Sequence, residues 1–190
     1  MVFLVVLISL TFHEAAHAWS ADRLGDSTAR VLGRVSLNPL VHIDPIGTIA
    51  FPLIALVTGL PVLGWAKPVP VSPRNLHPNW RQKYMLIAAA GPASNLLIAI
   101  VVAPLLAMGV WPQVTQSVVV INVFLAVFNM IPIPPLDGGN VLSGMIGGQA
   151  AEALDRLRPY GFLILYALMF SGLLFAIVEP PAGFLLRLLL

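Results

Sequence analysis

Long apolar runs separated by short polar stretches are the feature that most constrains the fold of this chain. Hydrophobic residues make up 58% of the sequence and charged residues 9%, whereas a soluble domain carries about 25% charged residues. A helix needs about 20 apolar residues to cross a bilayer. The sequence therefore predicts an all-α polytopic membrane protein with a bundle of about 4–6 transmembrane helices. The apolar runs are 2–19, 46–64, 84–109, 117–131 and 160–178, with an apolar tail at 184–190.

The second apolar run is densely interrupted by glycine and proline. Gly47, Pro52, Gly59 and Pro61 all fall within 46–64. Proline in a helix interior removes a hydrogen bond and clashes with the preceding turn. Irregular backbone at membrane depth survives only where protein or a water-filled cavity covers it. We therefore expect a re-entrant segment near 46–64 that returns to the face from which it started.

The basic residues support this topology. With a re-entrant second run, the polar stretches 20–45, 65–83 and 132–159 share one face, which then carries nine of the ten Lys and Arg residues. Cytoplasmic loops are enriched in these residues, so we expect these stretches in the cytoplasm and the N-terminus outside. A net charge of +2 gives no reason to expect a nucleic-acid partner. The chain has room for one membrane-embedded domain, 1–190.

Ionisable residues stand out in the first apolar run, as His13-Glu14-Ala15-Ala16-His17. Residues four apart share a helix face, so His13 and His17 can bind one zinc ion. Glu14 is then close enough to act on a water molecule as a general base. A single buried histidine is most often a hydrogen-bonded core residue, but chance placement of the whole pattern is about one in a thousand. The run lacks a basic flank, so it is not read as a cleavable signal peptide.

A third ligand must come from elsewhere, and the chain has no cysteine to supply it. Asp137 follows Pro132, Pro134 and Pro135 and precedes two glycines. An acid in such a place is usually a turn residue or a helix cap. Given the upstream histidines, Asp137 is the best candidate, and Glu152 is the alternative. One zinc ion per chain would then be held by two imidazoles and a carboxylate, with a position open for water.

The sequence resembles the site-2 protease family of intramembrane zinc metalloproteases, in its compact bacterial type without an inserted PDZ domain. Weaker similarity runs through 38–48 and 65–71, so the resemblance covers most of 1–145. The blocks that carry it are Phe12-His13-Glu14-Ala15-Ala16-His17, Gly91-Pro92-Ala93-Ser94-Asn95, and Asn129 through Leu136-Asp137-Gly138.

This resemblance implies that His13, His17 and Asp137 are zinc ligands and that Glu14 is the catalytic acid/base. It also implies a catalytic core over 1–145 followed by C-terminal helices over 150–190. The expected location is the bacterial inner membrane, with the active site opening to the cytoplasm and transmembrane proteins as substrates. In the sequence as given, no apolar helix precedes the metal motif as it does in many relatives, which leaves the N-terminal boundary open.

Several other polar residues have two interpretations each. Asn95 and Asn129 are candidate substrate-binding residues, but each also has a structural explanation: a helix–helix hydrogen bond for Asn95 and capping of backbone near the prolines for Asn129. His42 with Asp44 is a candidate metal-entry site, for which a solvated loop contact is the simpler explanation. The sequence 152–158, with its acidic and basic residues, is typical of a solvated juxtamembrane helix.

The predicted function is hydrolysis of a peptide bond within or beside a substrate's transmembrane helix. Such a helix must unwind before its carbonyls are accessible, and the irregular run 46–64 is predicted to offer a strand edge that holds the unwound segment. Three alternatives remain: a membrane zinc transporter, a metalloprotease of another family that uses Glu152 as its third ligand, and a non-hydrolytic relative that only binds membrane helices.

Overall fold

A computed structural model describes residues 1–59 and 64–190. Within these residues the chain forms nine α-helices and no β-strand, which confirms the all-α prediction. Short 3₁₀ turns at Pro39–His42 and Arg158–Tyr160 and a π-helix at Pro45–Ala50 lie between them. The helices are α1 Val2–Arg23, α2 Thr28–Val31, α3 Phe51–Thr58, α4 Trp80–Ala107, α5 Pro112–Asn129, α6 Asp137–Ile146, α7 Gly148–Asp155, α8 Gly161–Phe170 and α9 Leu173–Leu189.

Three helices in the described residues are long and apolar enough to cross a membrane. They are α1, α4 and α5, with 22, 28 and 18 residues. A fourth candidate is the pair Gly148–Phe170 and Leu173–Leu189, whose axes meet at 81°. The count is three, or four with the bent pair, and four is the lower end of the predicted range. The protein is a multi-pass membrane protein.

The apolar run 160–178 is not one straight helix. It divides between α8 and α9 at Ser171 and Gly172, and Gly172 has a φ of 76°. Glycine adopts this left-handed conformation without the penalty that a Cβ atom brings. Hydropathy records the apolar character of the run but not the direction of its backbone, so the bend was not predicted.

Helix α4 is the centre of the bundle and packs against α1, α5 and α6. Its Ala99 and Ala103 are buried against α5 and α9 among Val119, Val123 and Val178. Small side chains let membrane helices approach closely, since lipid is as apolar as the helices and packing must drive their association. The large apolar side chains on the outer faces are exposed, as expected of surfaces that face lipid.

The predicted re-entrant segment begins and ends at one place. The Trp65 amide donates to the Gly47 carbonyl over 3.2 Å, and the Thr48 hydroxyl donates to the Trp65 carbonyl over 2.8 Å. The chain leaves this point through the π-helix and α3 and has returned at Trp65. The predicted strand edge within 46–64 is wrong for its first part, because Pro45–Ala50 and Phe51–Thr58 are helical. Positions 60–63 of that segment lie outside the described residues.

The chain between Trp65 and α4 is secured to the end of α1 by a buried carboxylate. Asp26 is fully buried and accepts hydrogen bonds from the Thr28 amide and hydroxyl, the Ser72 amide and the Asn75 side chain. Burial raises the pKa of Asp26, but these hydrogen bonds outweigh it and hold the pKa below its ordinary value. The carboxylate therefore ties residues 72–75 to the turn after α1.

Helix α6 begins directly after the proline run, where the sequence had suggested a turn or a cap at Asp137. Leu136 is extended, with φ −67° and ψ 158°, and Asp137 is the first helical residue. The helix then packs closely on α4, because a Cβ atom at Gly144 would lie only 2.5 Å from that of Met85. This contact sets α6 against α4 and so determines where Asp137 lies.

Candidate metal centre

The two histidines of α1 meet over α4. His13 and His17 are both buried, at 4% and 7% exposed, and their Nε2 atoms lie 3.0 Å apart. Four residues advance a helix by slightly more than one turn, which stacks the two imidazoles on one face. The midpoint of the two histidines lies about 20 Å from the start of α1 and about 12 Å from its end, at 1.5 Å per residue.

Asp137 completes a group of three ligand atoms. Its Oδ2 lies 3.1 Å from His13 Nε2 and 3.3 Å from His17 Nε2. This oxygen is buried and has no hydrogen-bond partner in the described part of the chain. With bonds of about 2.0–2.2 Å, the ligands of a tetrahedral zinc site lie about 3.3–3.6 Å apart. The three atoms therefore fit a zinc ion after shifts of a few tenths of an ångström.

The second nitrogen of each imidazole has an acceptor. His17 Nδ1 lies 2.7 Å from the Ile87 carbonyl oxygen, and His13 Nδ1 lies 2.6 Å from Asn95 Oδ1. A carbonyl oxygen can only accept, so Nδ1 of His17 carries the proton and Nε2 presents its lone pair to Asp137 and the other histidine. Partners of this kind orient metal-binding histidines and raise their basicity.

Asn95 belongs to a chain of amides behind the site rather than to the cavity wall. It is fully buried, and its Nδ2 donates to Asn122 Oδ1 over 2.8 Å and to the Ser9 carbonyl over 3.3 Å. Asn122 donates in turn to the Ser9 hydroxyl over 2.9 Å. The structure thus places Asn95 where the helix–helix interpretation expected it.

Gly91 provides the space in which the imidazoles sit. A Cβ atom here would overlap the His17 ring and lie 2.7 Å from Cε1 of His13. No role was predicted for this glycine. A glycine beside Pro92 in an otherwise apolar helix was the signal available, because close approach of another group is a common reason for glycine at such a place.

Glu14 is buried at 9% exposed and lines the same cavity as the histidines and Asp137. Arg34 is a buried cation near it: burial lowers the pKa of the Arg34 guanidinium, and the charge of Glu14 opposes that shift. Arg34 also donates from Nη2 to the Lys67 carbonyl. The Lys67 amide donates to the His42 carbonyl over 2.8 Å. The backbone amide and the carbonyl of Lys67 therefore both have hydrogen-bond partners.

A cavity of about 400 Å³ opens beside these residues. Its wall includes the segment from Gly64 to Val71, which is neither helix nor strand, and Asn129, whose Nδ2 donates to the Leu125 carbonyl over 2.9 Å. Of the two asparagines predicted to bind substrate, Asn129 therefore lies on the wall. The space is large enough for a short stretch of extended peptide beside the candidate ligands.

Residues 1–119 and 106–172 match Peptidase family M50. The chain belongs to this family. It is 35% identical to YwhC of Bacillus subtilis (strain 168) over 91% of this chain and 82% of that protein, and 31% identical to Rip2 of Mycolicibacterium smegmatis over 87% of this chain and 64% of that protein. Both relatives are named putative zinc metalloproteases. No solved structure matches.

Family membership makes this M50 peptidase a membrane zinc metalloendopeptidase, as the resemblance implied. A zinc transporter and a non-hydrolytic helix-binding protein are therefore set aside. The other candidate ligands lie apart from the centre: Glu152 is exposed on α7, and His42 and Asp44 lie in the loop before α3. Among the described residues, His13, His17 and Asp137 alone form a group of three potential ligands.

One residue of the M50 peptidase cavity was missed entirely. Arg158 was interpreted as part of a solvated helix, yet its side chain lines the cavity, where it donates to Asn140 Oδ1 over 2.6 Å. The mixed charges around Arg158 in the sequence do not indicate this position. The position of the Arg158 side chain depends on how α7 packs against α6.

Proposed function

We propose that this chain cleaves peptide bonds within or next to the transmembrane helices of other membrane proteins. The observation that supports this most is the convergence of His13, His17 and Asp137 at the middle of an apolar helix, with Glu14 on the wall of the adjoining cavity. A hydrolytic centre at this depth has substrate segments, not soluble peptides, as its neighbours.

His13, His17 and Asp137 would hold one zinc ion per chain. When bound, zinc supplies a Lewis acid that polarises the scissile carbonyl and makes a neighbouring water more acidic. The chain's own contribution is orientation: the Ile87 carbonyl and Asn95 fix both imidazoles, and Gly91 leaves room for them.

Glu14 is the proposed general base and acid. Its carboxylate accepts a proton from the attacking water as the water oxygen bonds to the carbonyl carbon, and then gives that proton to the amine that leaves. General acid–base catalysis of this kind contributes about 10²–10⁴-fold to the rate.

The substrate backbone would lie along the segment from Gly64 to Val71. The amide and carbonyl of Val69 make no hydrogen bond within the described residues, so they are available to pair with an unwound segment. This moves the predicted strand edge from 46–64 to the residues that follow it. Asn129, on the opposite side of the cavity, is a proposed partner for a substrate peptide group.

The proposed setting is the bacterial inner membrane, with the cavity open to the cytoplasm and the N-terminus outside. The nine basic residues in the three polar stretches support this orientation. We also propose that 1–190 is a single domain with its core at 1–145, since α8 and α9 share one apolar cluster with α4 and α5.

A direct test is incubation of the purified, zinc-loaded protein with a library of transmembrane segments, with cut sites determined by mass spectrometry. Cleavage within or beside the apolar segments is expected from the wild type and not from Glu14→Gln at equal zinc content. Cleavage by both proteins, or of soluble peptides alone, would contradict the proposal.

A further inference from the structure

Arg158 lines the cavity and contacts α6 one helical turn after the candidate metal ligand. Its guanidinium is bonded to Asn140, which follows Asp137 by three residues. Side chains three apart on a helix are neighbours, about 5–6 Å between Cβ atoms. A peptide held at Asp137 would therefore bring one of its next few side chains to Arg158.

The charges around Arg158 do not cancel. Asp155 accepts from Arg158 through Nε at 3.2 Å and Nη2 at 3.0 Å, and also from Arg81 Nη1 at 3.0 Å. One carboxylate thus faces two guanidinium groups, so the cluster of Arg81, Asp155 and Arg158 has a net charge of +1. Arg81 is the more enclosed of the two, at 24% exposed against 40% for Arg158.

Arg158 also has N–H groups that do not bond to Asp155 or Asn140. Its contacts with Asp155 and Asn140 occupy Nε and Nη2, and the Tyr84 side chain is a further hydrogen-bonding neighbour on the cavity wall. A guanidinium has two more N–H groups, on Nη1. Paired N–H groups of this kind match the two oxygens of a carboxylate. A group that served only to fasten α7 to α6 would need neither the residual charge nor a place on the cavity wall.

Another side of the cavity is apolar. Leu10, Leu125, Phe128 and Leu165 line it on the side of α1, α5 and α8. A substrate with apolar residues on one side of the scissile bond and a carboxylate on the other would match both parts. At about 3.3 Å per extended residue, the carboxylate belongs within two or three residues of the cut.

We propose that Arg158 forms a subsite for a carboxylate side chain of the substrate and thereby selects transmembrane segments with Asp or Glu close to the cleaved bond. This rests on the proposed function and adds to it a substrate class. The phosphate of an anionic lipid is the competing ligand for the same charge, and the experiment separates the two.

The test uses one cleaved transmembrane segment in versions that carry Glu, Gln or Lys at each of the three positions on either side of the cut. We expect the wild type to prefer Glu over Lys at one position by about tenfold in kcat/KM, the combined effect of gaining one ion pair and losing a repulsion. Arg158→Gln should abolish the preference and Arg158→Glu reverse it. Arg156→Glu, at an exposed neighbour outside the cavity, should leave it unchanged.

Zinc content and cleavage of the Gln version show whether each variant is folded. Equal cleavage of all three versions by the wild type, or equal effects of the variants at 156 and 158, would overturn the subsite. It would also be overturned if the Arg158 variants altered only the difference between neutral and anionic lipid vesicles. The affinities of the same peptides for Glu14→Gln measure the preference in the absence of cleavage. A preference for Glu there, with no cleavage by the wild type, would contradict the proposed function and retain the subsite.

Discussion

The Nδ1 atom of His13 lies 2.6 Å from the side-chain oxygen of Asn95, and this contact joins the candidate metal centre to an amide network across three helices. The side-chain oxygen of Asn122 on α5 and the Ser9 carbonyl on α1 both accept hydrogen bonds from the Asn95 side-chain nitrogen. The amide can therefore present only its oxygen to His13, which leaves Nε2 free to bind a metal.

Replacing Asn95 is expected to weaken zinc binding. Asn95→Ala removes the acceptor for His13 and leaves the Asn122 oxygen unpaired in the bundle, and loss of a partner behind a metal ligand typically costs about 10–100-fold in affinity. Asn95→Asp keeps an acceptor at the same place and should retain more of the affinity. Competition with a zinc chelator measures both, and equal affinity in Asn95→Ala and wild type would contradict the role.

Gly91→Ala should prevent zinc binding while the helices remain folded. The added methyl group would occupy the space of the His17 ring, and both α1 and α4 are held by packing on each side of the contact. The matched control is Gly183→Ala on α9, where the nearest atom to a new Cβ lies 4.0 Å away. Metal analysis after purification, together with circular dichroism, distinguishes the two, and full zinc occupancy in Gly91→Ala would refute the expectation.

The ligand assignment predicts separate effects on zinc content and on catalysis. Alanine at His13, His17 or Asp137 should lower the zinc content well below one per chain, whereas Glu152→Ala should not. Glu14→Gln should keep its zinc and lose about 10²–10⁴-fold in kcat, the usual contribution of a general base. A zinc-free Glu14→Gln protein, or a zinc-free Glu152→Ala protein, would require a different set of ligands.

The topology can be tested by cysteine labelling, because the natural chain has no cysteine. Single cysteines at His77 and Gln149, both exposed, should react only after a membrane-permeant reagent is used. A cysteine at Gln113, before the apolar part of α5, should react with an impermeant reagent from outside. Labelling of 77 and 113 from the same side would contradict the proposed orientation.

Asp26 should make folding stability depend on pH. Hydrogen bonds hold its pKa below the ordinary value of 3.8, so its contribution is present above that pH and is lost as the pH falls through the lower folded pKa. We expect Asp26→Asn to cost about 1–3 kcal/mol at pH 7, from weakened buried hydrogen bonds. The difference from wild type should shrink below pH ~4.

Thermal unfolding in detergent at pH 7 and at lower pH measures this difference, and Glu152→Gln at an exposed position serves as the control. A difference between Asp26→Asn and wild type that stays constant with pH would mean that the Asp26 carboxylate is not ionised in the folded protein.

Much of this protein was predictable from local pattern alone. The apolar runs predicted the helical membrane class, and the spacing of His13 and His17 predicted a shared face, since helical periodicity is a property of neighbouring residues. The interruptions in 46–64 predicted a segment that returns to its starting point, and the contact between Gly47 and Trp65 agrees.

The tertiary structure alone decided what distant segments bring to the centre. Asp137 reaches the histidines because α6 packs on α4 through Gly144, and Gly91 and Asn95 act on imidazoles some 80 residues away in the chain. Arg158 reaches the cavity for the same kind of reason, and its neighbours in sequence gave no sign of it. Periodicity and composition describe each helix by itself, but the positions of these side chains depend on how one helix packs against another.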